Sequence, residues 1–80
     1  MTVRIRLFAI MAQQAGTAAL RLSLPENATA GGVQEALRQR FPDLRWPPGT
    51  LLAVNQEYAL GDRPLIEDDE VAIIPPVSGG

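Results

Sequence analysis

Hydrophobic and polar positions alternate from the start of the chain. Val3, Ile5 and Leu7 are interleaved with Arg4, Arg6 and Phe8, a period of two that predicts a strand with one face buried. Met11 to Gly16 breaks the alternation and ends in a glycine. Leu20, Leu22 and Leu24 then alternate with Arg21 and Ser23. This predicts a second strand, antiparallel to the first and closed by the turn chemistry of Pro25-Glu26-Asn27. Beyond it the period lengthens. Thr29 is a good helix N-cap, and Val33, Ala36, Leu37, Arg40 and Phe41 fall at helical spacing, with Gln34, Glu35, Arg38 and Gln39 on the other side. Gly31 and Gly32 in the first turn weaken this helix by up to about 1 kcal/mol each relative to alanine, predicting a frayed start. Pro42 marks its stop, because the residue before a proline is pushed out of the α region.

Asp43 to Thr50 contains Pro47, Pro48 and Gly49, a loop from which Leu44 or Trp46 is expected to fold back on the core. Leu51-Leu52-Ala53-Val54 reads as a strand, Asn55-Gln56-Glu57 as a turn and Tyr58-Ala59-Leu60 as a short return strand. The loop Gly61-Asp62-Arg63-Pro64 and four consecutive acids, Glu67-Asp68-Asp69-Glu70, lead into a last strand, Val71-Ala72-Ile73-Ile74. Five strands bury one sheet face only if the helix lies across it, so this order predicts a two-layer α+β roll. The first and last strands are the most apolar and are expected side by side at the sheet's centre.

Composition narrows function more than fold. Eighty residues make one domain, near the lower limit for a core without staples. With no cysteine the fold rests on packing alone, which 46% apolar residues make feasible. No apolar run is long enough to span a bilayer and no signal-peptide core opens the chain, so a cytoplasmic protein without a membrane partner is expected. Net charge is −2, and the seven basic residues are all arginines, dispersed at positions 4, 6, 21, 38, 40, 45 and 63. Nucleic acid is therefore not an expected partner. Cysteine, histidine and lysine are all absent. The chain lacks the usual nucleophile, the usual general base near neutral pH and the Schiff-base amine, which argues against a self-contained enzyme. The four acids suggest a metal site, general acid chemistry or a solvated turn; with no other ligand types beside them they read as a surface turn, and no metal is expected.

The last residues hold the sharpest candidate. Pro75 and Pro76 fix φ at about −65° and withhold two backbone donors, so they stop sheet pairing and send Val77-Ser78-Gly79-Gly80 outward. Gly79 and Gly80 have no side chains, so the carboxylate of Gly80 fits a channel too narrow for a Cβ. On the residues alone this is either a reactive carboxylate on a stalk or a frayed end without consequence. Alternation also predicts an apolar outer face. Phe8 lies opposite the core set Val3, Ile5 and Leu7, Ile74 lies opposite Val71 and Ile73, and Tyr58 is a third candidate. Such residues outside a small domain point to a partner-binding surface around the tail root.

Three stretches, Val3-Arg4-Ile5-Arg6-Leu7-Phe8-Ala9, Val54-Asn55-Gln56-Glu57 and the run from Asp69 through Pro75-Pro76 to Ser78-Gly79-Gly80, together carry a family likeness. The chain resembles the ubiquitin-like β-grasp sulfur carriers, in particular the small subunits of molybdopterin synthase, over nearly its whole length. The resemblance implies a β-grasp domain over residues 1–76, with a mixed sheet of about five strands packed on one main helix, and a flexible diglycine tail at 77–80. It further implies that an E1-like adenylating enzyme activates the Gly80 carboxylate with ATP, that a sulfur donor displaces AMP to leave a thiocarboxylate, and that no cofactor is bound permanently. The tail, in which Pro75, Pro76, Val77 and Ser78 lead to Gly79 and Gly80, would then thread into the large subunit of a heterotetrameric molybdopterin synthase. There sulfur would pass to a cyclic pterin phosphate, with Phe8, Tyr58 and Ile74 contacting that subunit.

Two departures stand out. Ala12-Gln13 replace an Arg-Glu pair frequent in the family, which leaves any contact made by that pair in doubt. Asp68 stands where a glycine is usual; aspartate tolerates a left-handed backbone better than most residues, so the turn is expected to survive. Other readings are a sulfur carrier for another pathway such as thiamine thiazole synthesis, whose carriers are shorter and generally lack the Pro-Pro pair, and an interaction domain with an idle tail. A ubiquitin-like protein modifier is the remaining one; without lysine it forms no ordinary lysine-linked chains of itself.

Overall fold

Two hairpins and a late strand build the sheet of this protein, seen in a computed structural model that describes residues 1–76. The expected site residues Val77, Ser78, Gly79 and Gly80 lie outside the described residues. In chain order the elements are β1 (Thr2–Leu7), α1 (Ala9–Ala15), β2 (Ala19–Ser23), α2 (Ala30–Arg40), β3 (Leu51–Val54), β4 (Glu57–Ala59) and β5 (Glu70–Ile74). The sheet runs β2-β1-β5-β3-β4, with β5 parallel to β1 and the other neighbours antiparallel. The first and last strands are thus adjacent, as their apolar content predicts. Their register aligns Ile5, Val71 and Val54 in one row, and all three are fully buried. Val33 and Leu37 of α2 and Met11 of α1 join the same core. Burying side chains of this size contributes about 1.5–3 kcal/mol each, which is what holds a fold without disulfides together.

The expected single helix is joined by a second. Helix α1 follows β1 where the alternation fails, and its C-cap Gly16 takes the left-handed conformation at φ 77° while its N–H bonds the carbonyls of Ala12 and Gln13. Only Met11 of its seven residues is buried, so no apolar stripe marks it in the sequence. The frayed start expected for α2 is also absent. Thr29 occupies the N-cap without a side-chain cap bond, and the neighbouring loop takes over its role. Ala30 and Gly31 donate to the carbonyls of Arg63 (2.9 Å) and Gly61 (2.8 Å). A Cβ on Gly31 would stand 3.1 Å from the Gly61 oxygen, so glycine here permits a close backbone approach that offsets its low helix propensity. Leu44 is buried and Trp46 packs against the core, so both loop residues fold back.

The acidic run is more than the surface turn its composition suggests. Asp69 is buried, and its carboxylate accepts from the Asn55 side chain (2.9 Å) and the Ile66 N–H (2.8 Å). Asn55 in turn accepts from the Glu70 N–H at 3.0 Å. Thr2 donates its N–H to Glu67, and Asp68 donates its own to the Thr2 carbonyl, both at 2.8 Å. The run therefore ties β5 to β1 and to the β3–β4 hairpin. Asp68 has φ 68°, the left-handed conformation anticipated at that position.

Candidate functional site

Because one sheet face packs on the helices, alternation forces the other residues of each strand outward, and the sheet register sorts them into rows. Glu70, Arg4 and Arg21 form one row, with an Arg4–Glu70 ion pair at 3.5 Å and an Arg21–Asp68 pair at 3.9 Å. The next contains Tyr58, Ala53, Ala72 and Arg6. In the row after that Leu51 pairs with Ile74, and Phe8 continues β1 beyond the Leu7–Ile73 pair. Along β5 the outer face thus passes from charged, through small, to apolar, and the apolar end is the one that leads into Pro75 and Pro76.

The small residues make a hollow. Ala53 and Ala72 lie in a groove of about 410 Å³ whose lining includes Phe8, Tyr58, Ile74 and Arg6. All three outer-face apolar residues expected from the sequence meet there. Phe8 is 41% exposed and Tyr58 72%, while Ile74 is half-buried. The Arg6 guanidinium lies 5.9 Å from the Phe8 ring centroid. An aromatic ring left this exposed above a shallow apolar floor is the form of a docking surface.

Leu51 belongs to the same face and is 50% exposed, a residue the sequence did not single out. The run Leu51-Leu52-Ala53-Val54 is continuously apolar, so its pattern cannot say which side faces the core. Its pairing with Ile74 is the missing information. At the tail root Pro75 is half-buried and Pro76 exposed. Beside them Pro47-Pro48-Gly49-Thr50 forms a β-turn, with the Thr50 N–H 3.1 Å from the Pro47 carbonyl and φ 86° at Gly49. Arginine and glutamate supply the charges along the groove. Among the described residues, no three metal-ligating side chains come together, and no helix is long and apolar enough to cross a membrane.

Residues 5–80 match the ThiS family. The molybdopterin synthase sulfur carrier subunit of Arabidopsis thaliana is 34% identical over 79 residues, covering 98% of this chain and 82% of that one. Its counterpart from Dictyostelium discoideum is 37% identical over 81 residues, covering 96% and 94%. In three dimensions the small archaeal modifier protein 1 of Haloferax volcanii superimposes with a TM-score of 0.85 at 27% identity, over 95% of this chain and 98% of that one. The expected ubiquitin-like β-grasp holds, with two helices on its five-stranded mixed sheet in place of one. This chain belongs to the ThiS family.

Proposed function

We propose that this protein is the sulfur-carrier subunit of a molybdopterin synthase and that Gly80 is its working residue. The relatives that carry that name align with 96% and 98% of the chain, and the family match runs through residue 80. The observation that carries the reading is the course of β5: a strand locked into the sheet centre passes an apolar groove and is followed by a proline pair, with Val77-Ser78-Gly79-Gly80 next in the sequence. In this reading the Gly80 carboxylate attacks the α-phosphorus of ATP on an E1-like adenylating enzyme, releasing pyrophosphate. A hydrosulfide equivalent then adds to the acyl carbon and expels AMP, leaving the thiocarboxylate and one proton. A carboxylate is a poor electrophile until its oxygen becomes a good leaving group, and this chain has no Cys, His or Lys to bring that about.

The thiocarboxylate would then enter the large subunit, seated by Phe8, Tyr58 and Ile74, with Pro75, Pro76, Val77 and Ser78 as the stalk and Gly79 as the slender neighbour of the reacting group. Sulfur would pass there to a cyclic pterin phosphate. The work would take place in the cytoplasm, with no cofactor held permanently by the carrier itself. Mixing the thiocarboxylated protein with the pterin precursor tests this. Sulfur should be released only when the large subunit is added; release without it, or none with it, contradicts the assignment.

A second reading, conjugation to other proteins through Gly80, is favoured by the likeness to the archaeal modifier protein. The same activated acyl group would serve it, captured by a lysine amine of a target. Stable adducts found on other proteins in cells that also make the thiocarboxylate would assign both roles.

A further inference from the structure

The sheet register sets one residue of each strand in a single cross-sheet row on the outer face: Ala19, Arg6, Ala72, Ala53 and Tyr58. Arg6 is the only charged residue of that row, with an alanine on either side. Two residues away along β1 on one flank, Arg4 is paired with Glu70, and beside it Arg21 is paired with Asp68. On the other flank stand Phe8 and Ile74. Arg6 itself is exposed and, among the described residues, makes no ion pair. Three arginines thus face two acids on this part of the sheet, and the positive charge left over is at Arg6, in a chain whose net charge is −2.

Arg6 also borders two hollows. The groove of about 410 Å³ lies over Ala53 and Ala72, and a second of about 340 Å³ lies over Ala19 and Leu20; Arg6 and Glu70 line both. Glu70 is engaged by Arg4. The Arg6 guanidinium lies over the Phe8 ring at 5.9 Å from its centroid, and a guanidinium on a ring face keeps its in-plane N–H fork open to an acceptor.

We infer that Arg6 takes a carboxylate of the large subunit, an aspartate or glutamate presented beside the apolar residues that cover Phe8, and thereby selects that partner. The inference rests on the carrier reading above and names the chemistry that its docking face requires. Covering Phe8 and Ile74 removes water from the neighbouring guanidinium, and a desolvated charge is costly unless a carboxylate meets it with good geometry. A partner with leucine or lysine at that place is disfavoured for the same reason. The single unpaired cation fits a single carboxylate, whereas a polyphosphate backbone calls for a run of them, and Arg4 and Arg21 are already neutralised.

Calorimetry of the carrier with the purified large subunit tests the inference. Arg6→Gln should raise Kd by about tenfold or more and Arg6→Glu by about a hundredfold or more. Both should melt near the parent, because the side chain points to solvent, and Arg6→Gln carries the test should Arg6→Glu fail to fold. Arg45→Glu supplies the control of equal charge change, at an exposed residue that lines neither hollow; its Kd should stay within about threefold of the parent's. Reversing the acids of the large subunit to arginine one at a time should find one change that weakens the parent complex and improves binding of Arg6→Glu by about tenfold or more. Parent-like affinity for both Arg6 variants, losses no greater than that of Arg45→Glu, or no restoring reversal would overturn the role of Arg6 and leave the carrier reading standing. Normal affinity for the large subunit with slowed adenylation would give the pair to the adenylating enzyme and overturn it equally. A parent chain that never binds the large subunit would overturn the carrier reading and the Arg6 pair together.

Discussion

The two ends of β5 are held by opposite means. At Glu70 the strand begins in a web of hydrogen bonds: the Asp69 carboxylate, the Asn55 amide and the backbones of Thr2, Arg4 and Ile66 are all engaged. At Ile74 it ends among Leu51, Phe8 and two prolines, with an aromatic ring and an aliphatic side chain open to solvent. The first end engages its buried carboxylate and backbone groups internally. The second leaves apolar surface uncovered beside Pro75 and Pro76. A hydrogen-bonded end and an open apolar end thus lie at the two ends of one five-residue strand.

That contrast breaks first at the tail. Deleting Gly80, or replacing Gly79 with leucine, is predicted to abolish sulfur transfer while leaving stability within about 0.5 kcal/mol of the parent. Thermal melts alongside a molybdopterin synthesis assay check it. At the polar end, Asp69→Ala removes a buried acceptor from two donors and should cost about 2–3 kcal/mol in urea unfolding. Its effect on affinity for the large subunit, measured at a temperature where the variant is folded, should be small. Phe8→Ala is the mirror case. It should weaken binding to the large subunit by about 1–3 kcal/mol, as for an exposed aromatic anchor, with less than about 1 kcal/mol of lost stability. Calorimetry of the two purified subunits separates these outcomes, and lost stability with unchanged affinity would place the ring's role in the core. The smallest effect belongs to the β3–β4 turn, where Asn55 and Gln56 both have positive φ, at 51° and 72°. Gln56→Gly should raise stability by up to about 1 kcal/mol, because Asn-Gly is the favoured pair for such a two-residue hairpin.

Legibility in the sequence followed the same division. Alternation in β1, β2 and β5 marked both the core rows and the outward Phe8 and Ile74, because one face of each strand is dry. The five-stranded sheet and the adjacency of its first and last strands were readable from that pattern and the chain's length. Helix α1 was not, since a seven-residue helix with only Met11 buried leaves no period to detect; Ala and Gln content before Gly16 is the one signal it offers. The role of Asp69 was hidden for another reason. A run of acids reads as solvated unless its partner is known, and Asn55 lies fourteen residues earlier, brought near only by the β3–β5 pairing. Leu51 depends on that same pairing, so no local pattern assigns it.

The central claim is that this chain carries an acyl group but cannot activate it. Intact mass spectrometry of the purified protein, incubated with ATP and a sulfide source with and without the E1-like adenylating enzyme, measures this most directly. Without the enzyme the mass should not change. With it, the chain should gain the difference of one oxygen replaced by sulfur, at Gly80. Conversion of the protein alone, surviving rigorous removal of contaminating enzymes, would mean that a catalyst has been taken for a carrier; no conversion with the enzyme present would contradict the carrier itself.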